Sequence, residues 1–92
     1  MTDKVWFITG AAKGLGYFIA RDALRAGDKV VATSRTVDGL AERLSAPKGS
    51  LIVLPLDVTE SNAVSAAHHA AIETFGRIDV LVNNAGRAQL GW

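Results

Sequence analysis

The 92 residues include no cysteine. Disulfides, thiol catalysis and zinc–thiolate sites are excluded, and a reducing compartment is compatible with the composition. An excess of one charge is also lacking. Ten basic residues face nine acidic ones, a net charge of +1, so there is no basic footprint of the kind nucleic-acid binders carry. No apolar run approaches the ~18 residues that suggest a membrane span. Asp3 and Lys4 precede only a short apolar run before Gly10, without the apolar core and cleavage site of a signal peptide. The default expectation is a soluble, cytoplasmic protein with neither nucleic acid nor membrane as partner.

What is present is an ordinary globular composition, 49% hydrophobic and 21% charged, arranged in alternating periods. Lys4–Thr9 is a short apolar run, as expected of a strand buried on both faces. From Leu15 the spacing turns helical through Phe18, Ile19, Ala23 and Ala26, and Gly27 is the expected stop. Lys29–Thr33 reads as a second strand, rich in β-branched residues. Thr36–Ser45 has a weaker helical pattern, with Leu40 and Leu44 four apart. A loop at Pro47, Gly49 and Ser50 leads to a third strand, Leu51–Leu56, whose end Pro55 weakens. Thr59 and Ser61 are candidate N-caps for a helix with the inner stripe Val64, Ala67, Ala71 and Phe75. Gly76 ends it, and Ile78–Val82 is a fourth strand. Four strands alternating with three helices predict an α/β fold: a parallel, doubly wound, Rossmann-type sheet with helices on both faces.

Thr9–Gly16 reads TGAAKGLG, three glycines between a strand and a helix. Glycine reaches positive φ and lets a ligand approach the backbone, and a helix N-terminus offers free N–H groups with partial positive charge. The stretch is not a P-loop, because Lys13 precedes Gly14 instead of following it. It also departs from Gly-x-Gly-x-x-Gly, the first gap being longer. A tight turn with no ligand is the plain alternative.

Thr-Gly-x-x-x-Gly-x-Gly resembles the cofactor turn of the short-chain dehydrogenase/reductase family. Phe75–Gly86, FGRIDVLVNNAG, resembles that family's fourth strand and following turn, in register with the first motif. The resemblance covers essentially the whole chain but only the front part of such a protein. It implies hydride transfer between a hydroxyl and a carbonyl carbon of a small-molecule substrate. It implies that Gly10, Gly14 and Gly16 cradle a pyrophosphate and that Leu15 lies near the nicotinamide half. By the same resemblance Asp57 and Val58 border the adenine, Asn84, Ala85 and Gly86 line the cofactor, and Asn83 braces the central sheet.

The end of the second strand distinguishes the two nicotinamide cofactors. A carboxylate there suits NAD(H), through the adenosine ribose hydroxyls. This chain has Thr33-Ser34-Arg35 instead. Arg35 suits a 2′-phosphate, and Lys13 stands where NADP-preferring members of the family often carry a basic residue. NADP(H) is expected over NAD(H).

His68-His69 does not read as a metal site, since adjacent helical residues point about 100° apart. Trp6 reads as core, and Asp79 as a hydrogen-bonding residue at a strand end. Tyr17, the sole tyrosine, is followed four residues later by Arg21 and does not match the family's catalytic Tyr-x-x-x-Lys. The expected catalytic set within the chain is therefore empty. An apolar fourth strand with an unpaired edge leads to the expectation of a piece of a longer protein. The resemblance implies that the full-length form is a homo-oligomeric enzyme, and this part, without the catalytic residues, is expected to be inactive by itself. A complete short dinucleotide-binding module is the alternative. A receiver-like signalling domain ranks last, because only Asp57 offers an acidic residue at a strand end.

Overall fold

A computed structural model describes residues 3–84. Four strands and three helices alternate along the chain: β1 (Val5–Ile8), α1 (Gly14–Arg25), β2 (Lys29–Ser34), α2 (Leu40–Leu44), β3 (Leu51–Pro55), α3 (Ser61–Phe75) and β4 (Val80–Val82). All pairings are parallel, in the order β3-β2-β1-β4. The chain therefore steps from β1 outward to β3 and then returns to the far side of β1. That reversal opens a crevice beyond the carboxyl ends of β1 and β4, the place where doubly wound sheets bind ligands.

Each sheet face buries its own cluster, as period-two alternation requires. Ile8, Val30 and Ala32 pack under α1 and α2 with Ala20, Ala23, Leu24, Leu40 and Leu44. Phe7 and Val31 pack on the other face with Leu56, Ala67 and Ala71, flanked by Val64 and Phe75. Full burial of a side chain such as Phe7 or Ile8 contributes about 1.5–3 kcal/mol. Pro55 is tolerated because β3 is an edge strand of the described sheet.

Several expectations are corrected. The inner face of α1 is Gly16, Ala20, Ala23 and Leu24. Leu15 and Phe18, expected to point inward, are 66% and 50% exposed, and Ala26 is exposed. At the start of α1 only glycine fits, because Gly16 lies against the Gly10 carbonyl and Asn84. The second helix shortens to Leu40–Leu44, entered through Gly39 at φ 72°. Neither Thr59 nor Ser61 caps α3; its N-cap is Glu60, without a side-chain cap bond. Trp6 is only half-buried, and its Nε1 donates to Asp28 Oδ2 at 2.9 Å. The fourth strand begins at Val80, although the Asp79 N–H still donates to the Val5 carbonyl at 2.8 Å. Among the described residues β4 lies at a sheet edge, with Leu81 half-exposed. No helix of the described residues is long and apolar enough to cross a membrane.

Candidate functional site

The carboxyl ends of the four strands lead directly into the residues singled out by sequence. Thr9–Gly16 follows β1, Arg35 follows β2, Asp57 and Val58 follow β3, and Asn83 and Asn84 follow β4. Ala85 and Gly86 lie outside the described residues.

The turn after β1 needs its glycines for two different reasons. Gly10 and Gly14 take φ values of 65° and 63°, which L side chains rarely adopt. A Cβ at Gly14 would meet nothing within 4 Å, so the space above it is open. Gly16 has no room at all. A Cβ there would overlap the Gly10 carbonyl oxygen and lie 2.6 Å from Asn84 Nδ2.

Distant residues hold this turn. The Ala11 N–H donates to the Thr33 carbonyl at 2.9 Å, and the buried Thr33 hydroxyl donates to the Ile8 carbonyl at 3.0 Å. Thr9 joins β1 to β4: its N–H and hydroxyl both donate to the Val82 carbonyl, and its Oγ1 accepts the Asn84 N–H at 2.9 Å. The Asn84 amide then donates to the Gly10 carbonyl at 3.1 Å. The brace expected of Asn83 is thus made by Asn84, while Asn83 is exposed. Thr9, the first residue of the glycine motif, also serves the turn, as do Thr33 and Arg43, which lie outside both motifs.

The bracing leaves donors unused. Lys13 is the N-cap of α1, with extended backbone, no side-chain cap bond and no acidic residue in the first turn. The backbone N–H groups of Ala12 and Lys13 have no partner among the described residues. The first helical N–H groups and the positive end of the α1 dipole therefore face the crevice uncompensated, as an anion site requires.

The flanking charges agree in sign. Lys13 and Arg35 are exposed, and among the described residues neither makes an ion pair or hydrogen bond. Asp57 is half-buried, and its Oδ1 accepts the Thr59 hydroxyl at 2.7 Å and the Thr59 N–H at 3.0 Å. Those two bonds, with a smaller contribution from the Arg35 charge, hold its carboxyl below the ordinary 3.8 against the opposing effect of desolvation. Val58 packs into the α3-side cluster. Leu15 stands exposed at the start of α1.

The remaining candidates have structural employment. Asp79 Oδ2 accepts the Val5 N–H and Arg77 Nε, both at 2.8 Å, and the Arg77 bond is the main cause of its lowered pKa. The His68 ring meets Phe7 edge to face, with centroids 4.6 Å apart, and His69 lies 3.3 Å from Glu73. The Tyr17 hydroxyl donates to the Arg43 carbonyl at 3.1 Å.

A family model described as short chain dehydrogenase matches residues 4–91. Oxidoreductase BOA17 of Botryotinia fuckeliana is 46% identical over 86 residues, which are 92% of this chain and 31% of that protein. A short-chain dehydrogenase from Streptomyces avermitilis superposes with a TM-score of 0.86 at 40% identity, over 98% of this chain and 33% of its own. A 3-ketoacyl-(acyl-carrier-protein) reductase from Brucella melitensis, solved in complex with NADH, superposes with a TM-score of 0.81 at 39% identity, over 90% of this chain and 34% of its own. The chain spans about a third of the length of these relatives.

Proposed function

The chain belongs to the short chain dehydrogenase family, and from that premise we propose that its crevice binds NADP(H) for hydride transfer between a hydroxyl and a carbonyl group. The observation that carries the proposal is the uncapped start of α1, whose free N–H groups open between strand ends that also present Lys13 and Arg35. A dinucleotide fits the residues present. Its pyrophosphate would lie against Gly10, Gly14 and Gly16, where the Gly14 position is open and a side chain would intrude. Arg35 and Lys13 would take the 2′-phosphate, the guanidinium through paired hydrogen bonds. Asp57, Val58 and Asn84–Gly86 would border the adenosine half, and Leu15 the nicotinamide half.

When bound, the cofactor supplies the hydride, and the protein orients it. The 92 residues contain no Tyr-x-x-x-Lys pair, so their share of the reaction is cofactor binding, without proton transfer. By themselves they do not turn over a substrate. The substrate class is a small-molecule carbonyl or alcohol, and association into a homo-oligomer belongs to the same proposal.

Titration of the protein with NADPH and NADH tests the reading. NADPH binds more tightly. Arg35→Asp reverses the order, because the phosphate loses a charged hydrogen bond of about 1.5–3 kcal/mol and meets a repelling carboxylate. Equal affinity for both cofactors, unchanged by Arg35→Ala, would refute the assignment.

A further inference from the structure

Arg43 lies on α2, outside every motif, and is exposed. Its Nη2 nevertheless donates to the Ala12 carbonyl, 31 residues away, at 2.6 Å. Its guanidinium carbon stands 4.8 Å from the centre of the Tyr17 ring. Tyr17 returns a bond through its hydroxyl, which donates to the Arg43 carbonyl. Tyr17 belongs to the first turn of α1, so Arg43 is tied at both ends to the element that begins at the glycine turn. An exposed arginine is ordinarily free to sample many rotamers. Stacking and the return bond hold this one in place.

We propose that Arg43, steadied by Tyr17, is a positioning residue for the phosphate-binding turn, an inference that rests on the dinucleotide reading above. The reason lies in the planarity of the peptide bond. The Ala12 carbonyl and the Lys13 N–H share one rigid unit and point in opposite directions. Fixing the carbonyl on Arg43 aims the N–H away from α2. The Gly10–Ala11 peptide, two units earlier, is fixed in the same manner, with the Gly10 carbonyl on Asn84 and the Ala11 N–H on Thr33. Of the two, only the peptide held by Arg43 leaves its N–H without a partner among the described residues. Arg43 therefore sets the direction of a donor that the fold itself does not use, which is what preorganised recognition of an anion requires.

The test compares Arg43→Met, Arg43→Lys and Tyr17→Phe in the full protein, with NADPH and NADH as probes. Arg43→Met weakens both nucleotides alike by about tenfold, the equivalent of one hydrogen bond. Arg43→Lys, which keeps a donor, recovers most of that loss, and Tyr17→Phe falls between. The thermal midpoint stays near that of the parent. In the nucleotide-free protein, backbone ¹⁵N order parameters at Ala12–Gly14 fall in Arg43→Met from a rigid value near ~0.85 toward ~0.6. Unchanged order parameters, or unchanged affinities, overturn the positioning role. A loss confined to NADPH also overturns it, since that would make Arg43 a direct partner of the 2′-phosphate. If the parent protein binds neither nucleotide, the dinucleotide reading fails and this inference falls with it. The order parameters would then still report whether Arg43 rigidifies the turn.

Discussion

Two turns leave the carboxyl edge of the sheet and enter long helices, and they are held in opposite ways. The turn between β3 and α3 closes on itself. Asp57 accepts two bonds from Thr59, and its carbonyl accepts the Glu60 N–H at 3.0 Å, all within three residues. The turn between β1 and α1 is held from afar, by Asn84, Arg43 and the Thr33 carbonyl. A turn that stitches itself together consumes its own donors. A turn kept for a ligand must leave them free, so its rigidity comes from other elements.

Substitution at the glycines is the strongest way to break the contrast. Gly16→Val forces a side chain into the Gly10 carbonyl and displaces Asn84. Overpacking together with a lost hydrogen bond costs about 2–4 kcal/mol. Urea unfolding shows the loss, and nucleotide binding disappears with it. At Gly14 an added Cβ meets no neighbour, so the main cost of Gly14→Val is its positive φ, about 1–2 kcal/mol. Circular dichroism finds it folded, while titration with NADPH finds binding abolished. Retained affinity in the folded variant would refute the phosphate turn.

Asn84→Ala is the next smaller effect. It removes the bond to the Gly10 carbonyl, at a cost of about 1 kcal/mol, and leaves the β3–α3 turn untouched. Nucleotide affinity falls while NMR shifts of Asp57–Glu60 stay in place. The smallest effect belongs to the self-closed turn. Thr59→Val takes the hydroxyl from Asp57, whose carboxyl then titrates closer to its ordinary 3.8. Because the folded pKa is depressed, the stability contributed by this carboxylate is complete above the ordinary value and fades as pH falls below it. Acid unfolding of the variant loses part of that dependence, and an NMR pH titration of Asp57 reads the shift directly.

The element order was legible from period and punctuation alone: β-branched runs, helical spacing and glycine stops place all seven elements within a few residues. The α3 stripe is also as read, because its inner residues are apolar in the ordinary way. The face of α1 was legible only in part. Hydrophobic spacing placed Ala23 and Ile19 correctly, but it favoured the exposed Leu15 and Phe18 over Gly16, where the Gly10 carbonyl and Asn84 leave no room for a side chain. Motifs pointed to the site, yet the contacts that hold it are long-range and not written in local spacing. Asn84 and Arg43 reach it across 74 and 31 positions, and a one-dimensional reading had no means to choose Asn84 over Asn83. Lys13 and Arg35 were singled out because they sit beside motif positions, and both are exposed.

The strand order has a consequence for how the protein is made. β1 leaves the ribosome before its neighbour β4, with β2 and β3 made between them. During synthesis, at ~5–20 residues per second, the glycine turn waits several seconds for Val82 and Asn84 to arrive. A nascent chain carrying β1, β2 and β3 can pair its strands and bury the α1 face, yet its turn lacks the Asn84 bond. The Asn84 bond that braces the glycine turn therefore forms only after β2 and β3 have been made.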